Sequence, residues 1–219
     1  MLKCLGSCIG TQSVPHQIVM LGPEGAGKTT LFYRLKFPQW KWSAMNEELS
    51  RLRDPENRSW DPGYHYEEFS SGPLRTYGIW DVPGSDAMVP MWPTFYRYVR
   101  VTAVLFVVDG SEAGEEQLAK AKRLMHFLLN EDELRLAAFV LIVNVRGGPS
   151  QRGLVGHGTY VGEMLGVPEI EGQPSNKARF LPFTMDCSKT SGTSCREWKE
   201  IVEEIYKVCI SRRSRYGAV

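Results

Sequence analysis

The sequence predicts an α/β fold with three layers, in which helices cover both faces of a doubly wound, six-stranded, mostly parallel sheet. Strand-length apolar segments alternate with helical patterns nearly from end to end, which is typical of parallel strands joined by crossover helices. A turn-forming Ser-Ser-Gly-Pro follows the second strand, so one edge strand should pair antiparallel with its neighbour. The 219 residues, of which 42% are hydrophobic, are enough to bury one such core.

The individual elements are assigned from the period of their apolar residues. The predicted strands are 17–21, 64–70, 76–81, 103–109, 138–143 and 179–184. The predicted helices are 28–36, 43–53, 94–99, 115–130, 158–165 and 194–209. In the helix at 115–130 the apolar residues recur every three or four positions, and this stripe should pack on the sheet.

Composition and charge exclude several classes of protein. The chain has 26 basic and 25 acidic residues, so its net charge of +1 gives no overall field that would attract nucleic acid. Its five cysteines are odd in number and scattered, which favours a reducing compartment over a disulfide scaffold. The apolar runs have strand length and fall short of a membrane-spanning helix. We therefore expect a monomeric cytoplasmic protein that binds no nucleic acid.

A phosphate-binding motif separates the first strand from the first helix. The run Gly22-Pro23-Glu24-Gly25-Ala26-Gly27-Lys28-Thr29 fits the pattern G-x-x-x-x-G-K-[ST]. In this pattern backbone N–H groups converge on a polyphosphate, the lysine reaches its outer phosphates, and the Ser/Thr hydroxyl binds magnesium. We predict a nucleotide, with Mg²⁺ at Thr29, held by Glu24, Gly25, Ala26, Gly27, Lys28, Thr29 and Thr30.

A second phosphate-side element follows the third strand, where Asp81-Val82-Pro83-Gly84 reads Asp-x-x-Gly. In nucleotide switches this aspartate orients the water shell of magnesium, and the glycine N–H meets the γ-phosphate. The motif is weak alone, but it gains weight because it follows a phosphate loop and a predicted hairpin. We therefore predict that Asp81 lies on the metal side of the site and that Gly84 contacts the nucleotide.

A family resemblance rests on three stretches and a few residues between them. These are Trp80-Asp81-Val82-Pro83-Gly84-Ser85 with Pro90, Met91, Trp92, Phe95 and Tyr96, then Phe106-Val107-Val108-Asp109, and then Asn130-Glu131-Asp132-Glu133-Leu134-Arg135. Together they closely resemble the Arf and Arf-like branch of the Ras superfamily of small GTPases, roughly over residues 15–208. The resemblance implies a P-loop GTPase fold that binds GTP or GDP with Mg²⁺ and recruits protein effectors at membranes. It also implies an exchange factor and a GTPase-activating protein as partners.

The resemblance also implies roles for residues away from the phosphates. Tyr64, Trp80 and Phe95 match three aromatic residues that flank the two switch loops and read out the nucleotide state, although simple hydrophobic packing is the alternative. Asn144 matches the asparagine of the base-reading element Asn-Lys-x-Asp. Ser188 and Lys189 fall in a loop similar to the one that touches the base from its other side.

Three departures from the family pattern bear on mechanism. Ser85 stands at the position of the glutamine that orients the attacking water, and a serine is too short for that task, so intrinsic GTP hydrolysis should be very slow. Gly147 replaces the aspartate that binds guanine, which should weaken guanine preference roughly ten- to a hundredfold and leaves competition by adenine nucleotides open. The magnesium-binding threonine of the first switch aligns near Asp61, so Asp61 or Ser59 would have to supply that oxygen.

We divide the chain into an N-terminal segment at 1–14, a GTPase-like domain at 15–209 with an insertion in its first switch at about 37–62, and a basic tail at 210–219. The tryptophan-rich insertion could be a partner site, a lid over the nucleotide, or decoration that merely packs on the sheet. The tail is either a solvated terminus or a contact for a membrane or partner.

The N-terminal segment places Leu2, Leu5 and Ile9 on one helical face, with Leu2 where myristoylation requires glycine. Palmitate on Cys4 and Cys8 would give two anchors and peripheral association with endomembranes; the alternative is a frayed terminus with idle thiols.

The leading hypothesis is an Arf-like GTP-binding switch in vesicle or membrane traffic, with poor hydrolysis of its own. The alternatives are a pseudo-GTPase interaction module that has lost guanine-specific cycling, and a P-loop kinase or ATPase.

Overall fold

The computed structural model describes residues 15–53, 63–70, 76–111, 114–147 and 151–216. Its strands are β1 (His16–Leu21), β2 (His65–Ser70), β3 (Thr76–Asp81), β4 (Val101–Asp109), β5 (Ala138–Asn144) and β6 (Phe180–Met185). Its helices are α1 (Lys28–Lys36), α2 (Trp42–Arg53), α3 (Trp92–Tyr98), α4 (Glu115–Leu129), α5 (Gln151–Leu165), α6 (Val167–Gly172) and α7 (Arg196–Tyr216). Short 3₁₀ turns lie at Val89–Met91, Asp132–Leu134 and Cys187–Lys189.

The six strands form one sheet in the order β2-β3-β1-β4-β5-β6. Every neighbouring pair is parallel except β2 and β3, which are antiparallel. This confirms the predicted fold class, including the antiparallel edge strand. Because the loops after β1, β3, β5 and β6 leave the same edge of the sheet, the motifs on them are brought together there.

The core has two halves, one on each face of the sheet. In β1, Ile18 and Met20 pack toward α1 and α7, whereas Val19 and Leu21 pack toward α3, α4 and α5. The central strands are buried on both faces, so they read as continuous apolar runs, as expected for a covered parallel sheet.

Some helix boundaries differ from those expected. α5 begins at Gln151, before the predicted start at 158, and α6 was not predicted because Pro168 reads as a breaker although it suits the first turn of a helix. α7 runs to Tyr216 and so continues into the segment predicted as a tail, since basic residues do not interrupt a helix.

Several predicted features lie outside the described residues. They are the N-terminal segment with Cys4 and Cys8, the stretch with Ser59 and Asp61, and the turn between β2 and β3. Within the described residues, no helix combines the length and apolar character that crossing a membrane would require.

Candidate nucleotide-binding site

A cavity of about 400 Å³ opens at the carboxyl edge of the sheet, between the loop after β1 and the loop after β3. Its volume lies within the usual range for small-molecule sites. Its wall contains most of the predicted phosphate-side and metal-side residues: Glu24, Gly25, Gly27, Lys28, Thr29, Thr30, Asp81, Gly84 and Ser85. Residues from two distant parts of the sequence therefore meet at one site.

The phosphate loop is held in shape by Gly27 and Asn144. Gly27 has a φ of 100°, in the left-handed region, and a Cβ there would lie 2.4 Å from Nδ2 of Asn144. The buried Asn144 side chain donates from Nδ2 to the Ala26 carbonyl at 2.9 Å and accepts from the Cys187 N–H at 3.0 Å. Asn144 and Ala26 thus tie the phosphate loop to the turn at Cys187–Lys189, and neither lines the cavity.

The ammonium group of Lys28 is buried against its own loop. It donates to the carbonyl oxygens of Gly22 and Pro23, both at 2.8 Å. Burial lowers the pKa of Lys28 to about 8, while the nearby carboxylates of Asp81 and Glu24 act in the opposite direction. An ammonium has three donors, so one N–H remains for a ligand in the cavity, and a polyphosphate there would favour the charged form.

The Asp81 carboxylate is 3% exposed and faces the same cavity. Its Oδ2 lies 3.4 Å from Nδ1 of His65, whereas its Oδ1 has no hydrogen-bond partner among the described residues. A buried carboxylate oxygen without a partner is costly, and a cation would satisfy it.

Magnesium fits this arrangement. It binds through one or two protein oxygens together with phosphate oxygens and water, and Asp81 with the Thr29 hydroxyl supplies such a pair. No group of three or more His, Cys, Asp or Glu side chains in the described ranges could hold a metal ion. Besides Asp81 and Thr29, a cation at this point could take ligands from a nucleotide and from water.

The loop after β3 packs directly on the phosphate loop at Gly84. A Cβ at Gly84 would lie 1.9 Å from the Gly22 carbonyl oxygen and 2.7 Å from Nζ of Lys28, so only glycine fits. The fully buried Trp92, at the start of α3, donates from Nε1 to the Pro83 carbonyl at 2.9 Å. These two contacts fix the backbone of the Asp-x-x-Gly sequence beside Lys28.

The predicted base-side residues lie apart from this cavity. Ser188 and Lys189 occupy the turn at Cys187–Lys189, and neither contributes to the cavity wall. Gly147, where the family has an aspartate, has a φ of 72°, and a Cβ added there would meet no described atom within 4 Å. The space into which a side chain at position 147 would project is therefore open among the described residues.

Asp186 is a residue on the base side that the sequence analysis missed. It accepts from the N–H of Ser188 at 3.0 Å and its hydroxyl at 2.6 Å, and Oδ2 lies 3.4 Å from both the Gly147 N–H and Nζ of Lys189. Burial by itself would raise the pKa of Asp186, but these hydrogen bonds lower it below its usual range. Asp186 therefore joins the loop after β5 to the loop after β6. Its position directly after β6 is the feature of the sequence that could have identified it.

Of the three aromatic residues singled out from the sequence, Tyr64 contacts both of the others. The ring of Tyr64 lies 5.4 Å from that of Trp80 and 5.6 Å from that of Phe95, measured between centroids. Tyr64 is 38% exposed, so part of this cluster is accessible from solvent.

Leu49 and His65 also line the cavity and were not predicted. Leu49 lies on α2, where its spacing of four from the buried Met45 could have revealed an inward face. His65 lies on β2 opposite Asp81 in the antiparallel pair, which only the register of the hairpin could have shown.

The sheet order, the glycine-rich loop before α1 and the Asp-x-x-Gly loop beside it define a P-loop nucleotide-binding protein with the small GTPase fold. A solved structure of the Arl6 BBS3 small GTPase from Trypanosoma brucei superimposes with a TM-score of 0.58 and 21% identity, covering 92% of this chain and 99% of that one.

Comparison of sequences shows which branch of the small GTPases this chain resembles. A model of the ADP-ribosylation factor (Arf) family matches residues 49–152, which include Asp81 and Gly84 but not the phosphate loop. ADP-ribosylation factor-like protein 4D from Homo sapiens is 25% identical over 206 residues, which span 91% of this chain and 88% of that protein. ADP-ribosylation factor-like protein 1 from Saccharomyces cerevisiae is 29% identical over 133 residues, spanning 61% and 62%.

These similarities support a place for the chain in the Arf and Arf-like branch of the Ras superfamily, and at this level they support a small GTP-binding switch protein.

Proposed function

We propose that this chain is a GTP-controlled switch that recruits effector proteins at endomembranes in vesicle traffic and hydrolyses GTP slowly by itself. The observation that carries the proposal is the meeting of Lys28, Thr29, Asp81 and Gly84 in one cavity. An interaction module that bound no nucleotide would have no need for all four groups together. The T. brucei relative with the same fold was solved with the bound nucleotide analogue GppNp, which supports a nucleotide at this place.

The phosphate side works through groups already in position. Lys28 would place its remaining N–H on the outer phosphates, the backbone N–H groups from Glu24 to Thr30 would bind the inner ones, and the Gly84 N–H would meet the γ-phosphate. Magnesium, held by Thr29 and Asp81, would neutralise the charge that develops on the phosphates. Because Gly84 packs on the phosphate loop, its position would respond to whether a γ-phosphate is present.

The residues that line the cavity support the proposal of slow hydrolysis. Among its described residues there is no glutamine or asparagine, and Ser85 at the glutamine position has too short a side chain to orient a water molecule. The switch would therefore stay in its GTP form until a GTPase-activating protein supplies the missing group. A single-turnover rate equal to that of a glutamine-bearing relative would contradict this part of the proposal.

The surface that reports the nucleotide state is proposed to be the cluster of Tyr64, Trp80 and Phe95. It joins the residue just before β2 to β3 and α3, so a shift of β2 and β3 would change what an effector meets there. The exposed Met91 lies just before α3 and could extend the same surface. Acylation of Cys4 and Cys8 would bring the chain to a membrane; absence of hydroxylamine-sensitive lipid on the native protein would remove that part.

A pseudo-GTPase is the second candidate, and two observations favour it. Lys28 already donates to two carbonyl groups of its own loop, and the open position at Gly147 offers guanine no carboxylate. Such a module would keep the fold and partner surface without a nucleotide cycle. Competition by adenine nucleotides would be expected if a nucleotide were bound at all.

Identification of the bound nucleotide tests the two candidates. Freshly purified full-length protein is denatured and the released nucleotide is identified by chromatography; GDP or GTP supports the switch. Calorimetry then compares GTP binding to the wild type with binding to Lys28→Ala and to Lys199→Ala, an exposed lysine on α7. Loss of binding only in Lys28→Ala supports the proposed site, whereas equal affinity in all three overturns it. An empty protein that GTP does not stabilise against heat supports the pseudo-GTPase.

A further inference from the structure

We propose that His65 is a positioning residue of this site, which holds one oxygen of Asp81 so that the other faces a bound magnesium ion. The inference rests on the proposed function, since it takes Mg²⁺ and a nucleotide as the ligands of the cavity. It gives the first switch a polar contact with the metal centre that does not depend on the family's threonine.

The first switch contributes little else that is polar to this cavity. Among the described residues between α1 and β3, Leu49, Gly63 and His65 line it. Leu49 is apolar and Gly63 has no side chain, so of these three His65 alone can offer a side-chain hydrogen bond.

The imidazole of His65 is fixed from two directions. Its position on β2 lies directly opposite Asp81 in the antiparallel pairing. Its ring centroid lies 5.8 Å from that of Phe32 and 5.7 Å from that of Tyr33, both on α1. The side chain is 21% exposed, and His65 lines the cavity.

The two oxygens of Asp81 are in different environments. Oδ2 lies 3.4 Å from Nδ1 of His65, a separation that a small tightening on ligand binding would turn into a hydrogen bond. Oδ1 is buried without a partner among the described residues. An N–H from His65 to Oδ2 would therefore lock the carboxylate with Oδ1 directed at the cation.

Outer partners of this kind matter for metal binding. Carboxylates that act on a metal are usually held by a further hydrogen bond, and removal of that partner typically costs ten- to a hundredfold in metal affinity. Loss of the His65 N–H should therefore raise, by about the same factor, the free Mg²⁺ concentration needed to retain the nucleotide. The affinity of the phosphate loop for the nucleotide in the absence of Mg²⁺ should not change.

The test uses the full-length chain loaded with a fluorescent GDP, and the release rate is measured over a series of free Mg²⁺ concentrations. His65→Leu and His65→Phe remove the N–H, and the phenylalanine keeps a ring beside Phe32 and Tyr33. His65→Asn keeps a donor at nearly the same place as Nδ1. Tyr66→Phe, on the neighbouring position of β2 with its ring against Trp80, is the matched control.

We expect both apolar variants to need about ten- to a hundredfold more Mg²⁺ for half-maximal slowing of release, with unchanged rates in excess chelator. His65→Asn should recover most of the wild-type Mg²⁺ dependence, and Tyr66→Phe should match the wild type. An unchanged Mg²⁺ midpoint in the apolar variants overturns the role of His65. Faster release by one factor at every Mg²⁺ concentration, chelator included, also overturns it, because that is the sign of simple packing. A wild-type protein that takes up no nucleotide overturns the proposed function itself.

Discussion

Leu49 should control how fast a nucleotide leaves the cavity. The outer face of α2 is polar, whereas Met45 and Leu49 point inward and are 0% and 5% exposed. Among the α2 side chains that the structure describes, these two alone are buried. Neither belongs to the two core clusters of the sheet, so α2 rests on the body of the protein as a local cover whose inner face includes Leu49 beside the phosphate loop.

The size of the effect follows from the buried carbon atoms. Leu49→Ala removes three carbon groups from a buried position, and at about 0.8 kcal/mol for each the docking of α2 weakens by about 2 kcal/mol. At RT of about 0.59 kcal/mol, this shifts the balance between docked and undocked α2 by about 30-fold. If the nucleotide leaves only when α2 has moved, its release should accelerate by up to the same factor.

The assay is release of fluorescent GDP at saturating Mg²⁺, with thermal unfolding measured in parallel. Leu136→Ala is the matched control, because it makes the same chemical change at a leucine that is 52% exposed. We expect faster release only in Leu49→Ala, with a small change in the unfolding midpoint. A release rate equal to that of wild type would show that α2 is decoration and would refute the reasoning.

Three further predictions concern other parts of the molecule. Gly84→Ala should destabilise the protein by about 1–3 kcal/mol in urea unfolding, because the methyl group would lie 1.9 Å from a carbonyl oxygen, while Gly172→Ala, with no atom within 4 Å, should be nearly neutral. Burial raises the pKa of Tyr77 to about 12 despite a hydrogen bond from Trp198, so the folded state keeps that proton longer than the unfolded chain. Stability should fall as the pH rises from about 10 to about 12, and Tyr77→Phe should lessen that fall. Ser85→Gln should raise the single-turnover rate of GTP hydrolysis about tenfold or more, and an unchanged rate would show that a longer side chain cannot act there.

The phosphate side of the site could be predicted because its groups are encoded locally. Gly27, Lys28 and Thr29 are consecutive residues. Asp81 and Gly84 lie at the end of a single strand and just after it, so the spacing of these residues in the sequence is enough to predict their arrangement. The sheet was equally predictable, since β1, β4 and β5 are apolar on both faces and can only be central.

The missed residues depend on contacts between distant segments. His65 meets Asp81 through strand register, Leu49 enters the wall because an inserted helix folds back, and Asp186 joins two loops from neighbouring strands. No local pattern distinguishes these residues from others of their type. The end of α7 was missed for a different reason, because a run of arginines is compatible with both helix and tail.

The open backbone at Gly147 means that no described atom would block a guanine-binding carboxylate at that position. No described neighbour has grown into the space, and aspartate is among the few residues that tolerate a left-handed conformation. Gly147→Asp is therefore a one-residue change that the fold can accommodate. A relaxed nucleotide preference in this chain would then be a reversible trait, accessible to both evolution and the protein engineer.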